Sequence, residues 1–132
     1  MRVLLDTHIL LWMARCPERL NRFERDILAI EDTTLLVSVL SIWELRIKWQ
    51  KFDRHGVRKG EFSPERALIY IEQHDLELVP LSGPELTAVL EPPLLHSDPF
   101  DEMLLVHAGR CRAKLLTRDR HLIAHPLAIR PA

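Results

Sequence analysis

Val3-Leu4-Leu5-Asp6-Thr7-His8-Ile9-Leu10-Leu11-Trp12-Met13 begins with a short apolar run that stops abruptly at a carboxylate. Ile9, Leu10, Trp12 and Met13 then recur as a helix laid against a core would have them, so the stretch predicts a strand followed at once by a helix. The same unit returns downstream. Residues 34–39 form a second β-rich apolar run, and residues 41–51 place Ile42, Leu45 and Trp49 at helical spacing. Between the two units Leu20, Phe23, Ile27 and Leu28 mark another helix. Residues 52–62 are polar, basic and carry two glycines, which predicts a loop or loose hairpin. Ser63-Pro64 pairs an N-cap with proline at the first helical position, residues 77–81 are a short strand, and Ser82-Gly83-Pro84-Glu85 has capping-box spacing. Asp98-Pro99-Phe100-Asp101 opens a helix reaching about Cys111, followed by a strand at 114–117, a polar turn at 118–120 and a last strand near 127–130. Short strands, apolar throughout and alternating with helices, indicate an α/β fold: a three-layer α/β/α sandwich with a mostly parallel central sheet.

The 132 residues, 47% hydrophobic, suffice for one core, and one domain over residues 1–132 is expected. The formal net charge of -1 demands no polyanionic partner, so any phosphate contact must come from local clusters. Two exist, one from Arg46 to Lys59 and one from Arg110 to Arg120, and either also suits a solvated face. Cys16 and Cys111 have neither metal-ligand spacing nor the density of a disulfide scaffold. The N-terminus lacks signal-peptide organisation, and no run of about 18 apolar residues is free of charge. A cytoplasmic protein with no membrane partner is expected.

In open parallel sheets ligands bind beyond the carboxyl ends of the strands, and there the predicted elements collect Asp6, Glu44 and Asp119. Each acid has a structural explanation. Glu44 completes a capping box with Ser41, Asp98 is an N-cap, Asp101 sits at the third helical position where a carboxylate suits the helix dipole, and Asp119 is a turn residue. Asp6, directly after an apolar strand, needs a partner near the core. The combination is what points to chemistry, because carboxylates crowded at one edge repel one another unless a cation joins them. Oxygen-only ligation selects Mg2+ or Mn2+ over zinc, and such an ion activates water against a phosphodiester.

Taken in order, Leu4-Leu5-Asp6-Thr7-His8, Ser41-Ile42-Trp43-Glu44-Leu45 with Lys48 a turn later, His96-Ser97-Asp98-Pro99-Phe100-Asp101, and Leu116-Thr117-Arg118-Asp119 resemble the PIN-domain family, specifically the VapC-like toxins of type II toxin-antitoxin pairs. The resemblance spans nearly the whole chain. It implies a Mg2+-dependent endoribonuclease whose metal is held by Asp6, Glu44, Asp101 and Asp119, with Thr7 and Thr117 as supporting hydroxyls and Asp98 an additional acid that either touches metal or only caps. It also implies a homodimer silenced by a cognate antitoxin, and the apolar surplus at Leu10, Leu11 and Trp12 is in keeping with a dimer face. The pattern departs from the subgroup at Glu102, where arginine is usual, and at Leu105-Val106-His107-Ala108.

Under this reading Lys48, Lys51, Arg54 and Arg118 are the candidate RNA contacts. The three tryptophans suit core or dimer-face positions, while His8, His96 and His107 suit packing or capping as readily as a phosphate contact. Two rival functions remain in view. A PIN-like module that binds RNA or a partner without cutting would not need the acids. A phospho-acceptor receiver domain would need adjacent acids after its first strand, where Asp6 is followed by Thr7.

Overall fold

The computed structural model describes residues 1–95 and 98–131. Strand β1 (Arg2–Leu5) leads straight into helix α1 (Thr7–Arg15), and a 3-10 turn at Pro17–Arg19 precedes α2 (Arg22–Leu28). Then come β2 (Thr34–Ser38), α3 (Val39–Trp49), α4 (Pro64–Gln73), β3 (Glu77–Val79), α5 (Gly83–Thr87), α6 (Pro99–Arg110) and β4 (Lys114–Leu116). The strands form one parallel sheet in the order β3-β2-β1-β4. Leu4 lies opposite Leu36 on one side and Leu115 on the other. The chain winds from β1 out to β3 and then crosses to the far side of β1, so strand order reverses between β1 and β4, where α/β sheets open a crevice.

Alternation along the strands sorts the core into two layers. Leu4, Leu36 and Leu115 pack with Leu104, Leu105 and Ala108 of α6. Their neighbours Val3, Leu5, Val37 and Leu116 turn the other way, onto Ile9 and Leu10 of α1, Leu45 of α3 and Ala67 and Ile71 of α4. Helices on both faces give the α/β/α sandwich expected from the all-apolar strands. Among the described residues no helix is long and apolar enough to cross a membrane.

Several local expectations change. Helix α3 starts before Ser41: Ser38 is its cap, its hydroxyl accepting from Leu40 N at 3.0 Å, and Ser41 is a buried residue inside the helix. The Ser41–Glu44 capping box therefore does not form, because the chain is already helical at the residue meant to cap it. Ser82 hydrogen-bonds the Glu85 carboxylate rather than a backbone N–H, and α5 ends at Thr87. The last strand reduces to a bridge between Leu115 and Ala128, on a segment bracketed by Pro126 and Pro131, neither of which can donate to a ladder. Leu10 and Leu11 are buried within the chain, so they form core rather than a dimer face.

Residues 52–62 form a loose hairpin with one antiparallel bridge, Phe52 to Arg58. Its turn is made by the Asp53 carboxylate, which accepts from His55 N and Val57 N, and by Gly56 at φ +77. Gly60 lies so close to α3 that a Cβ there would stand 2.7 Å from the Trp49 Cα.

Candidate active site

Asp6 follows β1 as the N-cap of α1, is almost fully buried and is held at both oxygens. Thr7 N donates to Oδ1 at 2.7 Å and the Thr117 hydroxyl donates to Oδ2 at 2.6 Å. The Thr117 oxygen accepts in turn from Asp119 N at 3.1 Å, so one hydroxyl joins the acid after β1 to the acid after β4. The Thr7 hydroxyl donates to the Ser41 Oγ at 2.8 Å, locking the start of α1 to the first turn of α3, the helix that carries Glu44. Of the two threonines, Thr117 reaches Asp6 through its hydroxyl and Thr7 only through its backbone N–H. Ser41, read as a cap, is a further support whose signal was the apolar run that continues through it into α3.

Asp98 caps α6 and accepts from Phe100 N at 2.9 Å, which orients the first turn bearing Asp101. Asp119 shapes its own turn by accepting from His121 N at 2.8 Å. Capping and turn formation are therefore real for both residues, and they place the carboxylates on the site rather than compete with it. The motif residues His96 and Ser97 lie outside the described residues.

The charges of four other acids reach Asp101. Burial, and then the charges of Asp98, Asp119, Asp6 and Glu44, push the Asp101 carboxyl up to about 7. Asp6 is also raised, chiefly by burial, against the hydrogen bonds from Thr117 and Thr7 and the nearby His8. Glu44 pairs with Lys48 at 3.5 Å within α3. An all-oxygen donor set whose charges converge on Asp101 fits a hard divalent cation, which would offset that repulsion. Among the described residues no three acids already form a ready ligand shell. What fits the ion is the donor chemistry and the shared field.

The direction of the Asp101 shift predicts how the protein responds to pH without metal. With a folded pKa of about 7 above its ordinary 3.8, Asp101 favours the folded state at low pH, and this contribution is lost as pH rises across that window. In chelator, Asp101→Asn should raise the melting temperature at pH 8 by about 3 °C and leave it little changed at pH 4, as read by thermal scans. A variant less stable than wild type at pH 8 would contradict this.

Of the candidate RNA contacts, Lys51 and Arg54 are exposed on the hairpin and Lys48 is shared with Glu44. Arg118 is otherwise engaged. Its guanidinium grips the carboxylate of Glu24, with Nε 2.9 Å from Oε2, donates to the Arg19 carbonyl at 2.7 Å, and lies over the Trp12 ring. Glu24 is almost fully buried and was not singled out in sequence, because a charge one residue past an apolar helix position reads as solvent-facing. His107, the departure from the subgroup pattern, is wholly buried, with Nδ1 2.8 Å from the Ser38 hydroxyl and Nε2 3.1 Å from the Pro80 carbonyl. Burial, opposed by the Pro80 hydrogen bond, holds it below the usual 6.5, so the neutral ring ties α6 to the end of β2.

Comparison with solved structures returns the same architecture. A chain of a toxin-antitoxin complex from Klebsiella pneumoniae superposes with a TM-score of 0.65 at 17% identity, covering 98% of each chain. A chain of VapBC2 from Rickettsia felis, bound to a DNA fragment from the promoter, gives 0.61 at 16% identity, over 99% of this chain and 98% of that one. DNA-bound VapBC from Salmonella typhimurium gives 0.59 at 18%, over 97% and 95%. No curated protein matches the sequence. At such identities the superpositions speak for the fold, while the family model for the PIN domain matches residues 3–126, nearly the whole chain. With that match, on a parallel sheet whose carboxyl edge gathers Asp6, Glu44, Asp98, Asp101 and Asp119, the chain belongs to the PIN domain family.

Proposed function

We propose that this protein is a VapC-like toxin, an endoribonuclease dependent on Mg2+ or Mn2+ and held in check by an antitoxin. The observation that carries the reading is the convergence of four other carboxylates on Asp101, whose charges add to burial in raising it to about 7. Capping and turn formation alone do not call for four carboxylates to converge on Asp101. Asp6, Glu44, Asp101 and Asp119 would hold the ion, with Asp98 at the margin, and the ion supplies an activated water and a counter-charge for the phosphodiester. The chain does the positioning: Thr7 and Thr117 fix the rotamer of Asp6, Thr117 also fixes the turn of Asp119, and the Asp98 cap fixes Asp101.

Purified protein incubated with pooled small RNAs in Mg2+, in Mn2+ and in chelator tests the activity. Products that require metal are expected; intact RNA in every condition from folded, antitoxin-free protein would leave a binding module instead. The antitoxin rests on the toxin-antitoxin complexes among the structural neighbours, and on an acidic site suited to a basic side chain.

A homodimer is proposed across the face around Trp43, which is half exposed and has apolar grooves on both sides. One is bordered by Ile42, Leu68 and Leu78, the other by Leu81, Leu86 and Met103, an apolar continuity that monomers seldom expose. Trp43→Glu should convert a dimer to a monomer in sedimentation experiments without lowering the melting temperature of the monomer. An unchanged sedimentation coefficient would place the interface elsewhere.

A further inference from the structure

We propose that the cleft between α1 and the 52–62 hairpin binds the nucleotide next to the cut phosphate of a single-stranded RNA, an inference that rests on the ribonuclease reading above. The cleft encloses roughly 490 Å3, within the ~300–1,000 Å3 of sites that hold small ligands. It meets the acidic edge at Thr7 and His8, and at Lys48, the ion-pair partner of Glu44. A strand whose phosphate lies at the acids therefore runs into it.

Its rim and floor differ in chemistry. Arg19, Lys48 and Lys59 stand on the rim, all exposed, against the single acid Glu61. Arg19 and Lys59 make no side-chain hydrogen bond or ion pair among the described residues. The floor is apolar, formed by Leu11, Trp12, Leu45 and Phe62. Cations above an apolar bed suit a ligand with an anionic backbone and a planar face, which is a nucleotide. A base must leave its stack to enter such a cleft, so unpaired RNA is favoured over a duplex.

The hairpin wall is braced against α3. The Arg58 guanidinium donates to the Trp49 carbonyl and lies over the Trp49 and Phe52 rings at 4.3 and 4.5 Å. Gly60 permits the backbone contact with Trp49, and it follows Lys59 directly. Gly60 and Arg58 are thus positioning residues that set where Lys59 stands.

Binding of a fluorescein-labelled pool of random single-stranded RNAs, followed by anisotropy in chelator, tests the inference apart from cleavage. Replacing Lys59 and Arg19 together by alanine should weaken binding about tenfold and reduce the slope of log K against log salt by about 1.4, two contacts at ~0.7 each. It should raise KM more than it lowers kcat. The pair Arg110→Ala and Arg112→Ala, at the opposite end of the sheet, removes equal charge and should change binding little. Gly60→Ala, which keeps every cation, should weaken binding as well, and photocrosslinks from 4-thiouridine RNA should map to peptides holding Trp12 or Phe62. If wild type binds and cuts but the Lys59/Arg19 variant equals it, or crosslinks fall only outside the cleft, the inference is overturned and the ribonuclease reading stands. If wild type neither binds nor cuts, both fall.

Discussion

Asp6→Asn should abolish RNA cleavage, by at least about 100-fold, while leaving the fold intact. A divalent ion contributes several kcal/mol to such a reaction, and about 1.4 kcal/mol is a factor of ten, so losing the most buried of its proposed ligands costs two decades or more. The fold should survive because the amide oxygen can still accept from Thr7 N, and because burial already makes the Asp6 charge unfavourable without metal. At pH 8 in chelator the variant should melt at or above the wild-type temperature. Added Mn2+ should raise the melting point of wild type and not of the variant, a readout independent of cleavage. Cleavage by Asp6→Asn at the wild-type rate would remove Asp6 from the site.

The largest loss of stability should come from Glu24→Gln, far from the acids in sequence. Glu24 joins three features: the capping box with Asn21 at the start of α2, the guanidinium of Arg118, and through Arg118 the turn that carries Asp119. Breaking a buried ion pair costs about 3–5 kcal/mol, and the partial exposure of Arg118 lowers this to about 2–3 kcal/mol, or roughly 10 °C in melting temperature. Burial alone would raise the Glu24 pKa, but the hydrogen bonds from Arg118 and the Asn21 backbone outweigh it and leave it below 4.5. Its contribution is therefore present at neutral pH and lost as pH falls below about 4.5, so the gap between wild type and variant should narrow in acid. A gap that does not change between pH 7 and pH 3 would show that the ion pair is not the cause. Activity should fall too, because the turn holding Asp119 loses its anchor.

These two residues mark how far the sequence could be read. Asp6 was legible because a carboxylate between an apolar strand and an apolar helix lies near the core and needs partners, here the cap bond from Thr7 N and the Thr117 hydroxyl. Glu24 was not, since its partner Arg118 is 94 residues away and neither position breaks a local pattern. Ser41 was read in another role, and for Arg118 the partner Glu24 was missed. Local capping rules favour Ser41 at a helix start, but α3 begins earlier on Ser38 and turns Ser41 toward Thr7. Arg118 lies in a basic cluster that suggests RNA, yet the sheet brings it against Glu24.

What the sequence determined by itself follows from short-range physics: apolar runs of strand length, helical periodicity, caps at Ser63 and Asp98, and thereby the alternation that makes a parallel sheet covered on both faces. The candidate acids could be chosen there too, because residues just past parallel strands, and in the first turns of the helices that follow, come to one edge. Only the tertiary structure decided which hydroxyl holds Asp6, that His107 is a buried core residue, that Leu10 and Leu11 are buried while Trp43 is exposed, and that Lys59 faces a cleft while Arg118 pairs with Glu24. Those outcomes depend on contacts between residues far apart in the chain. Burial then settles whether a polar group must find a partner, and no local pattern names that partner.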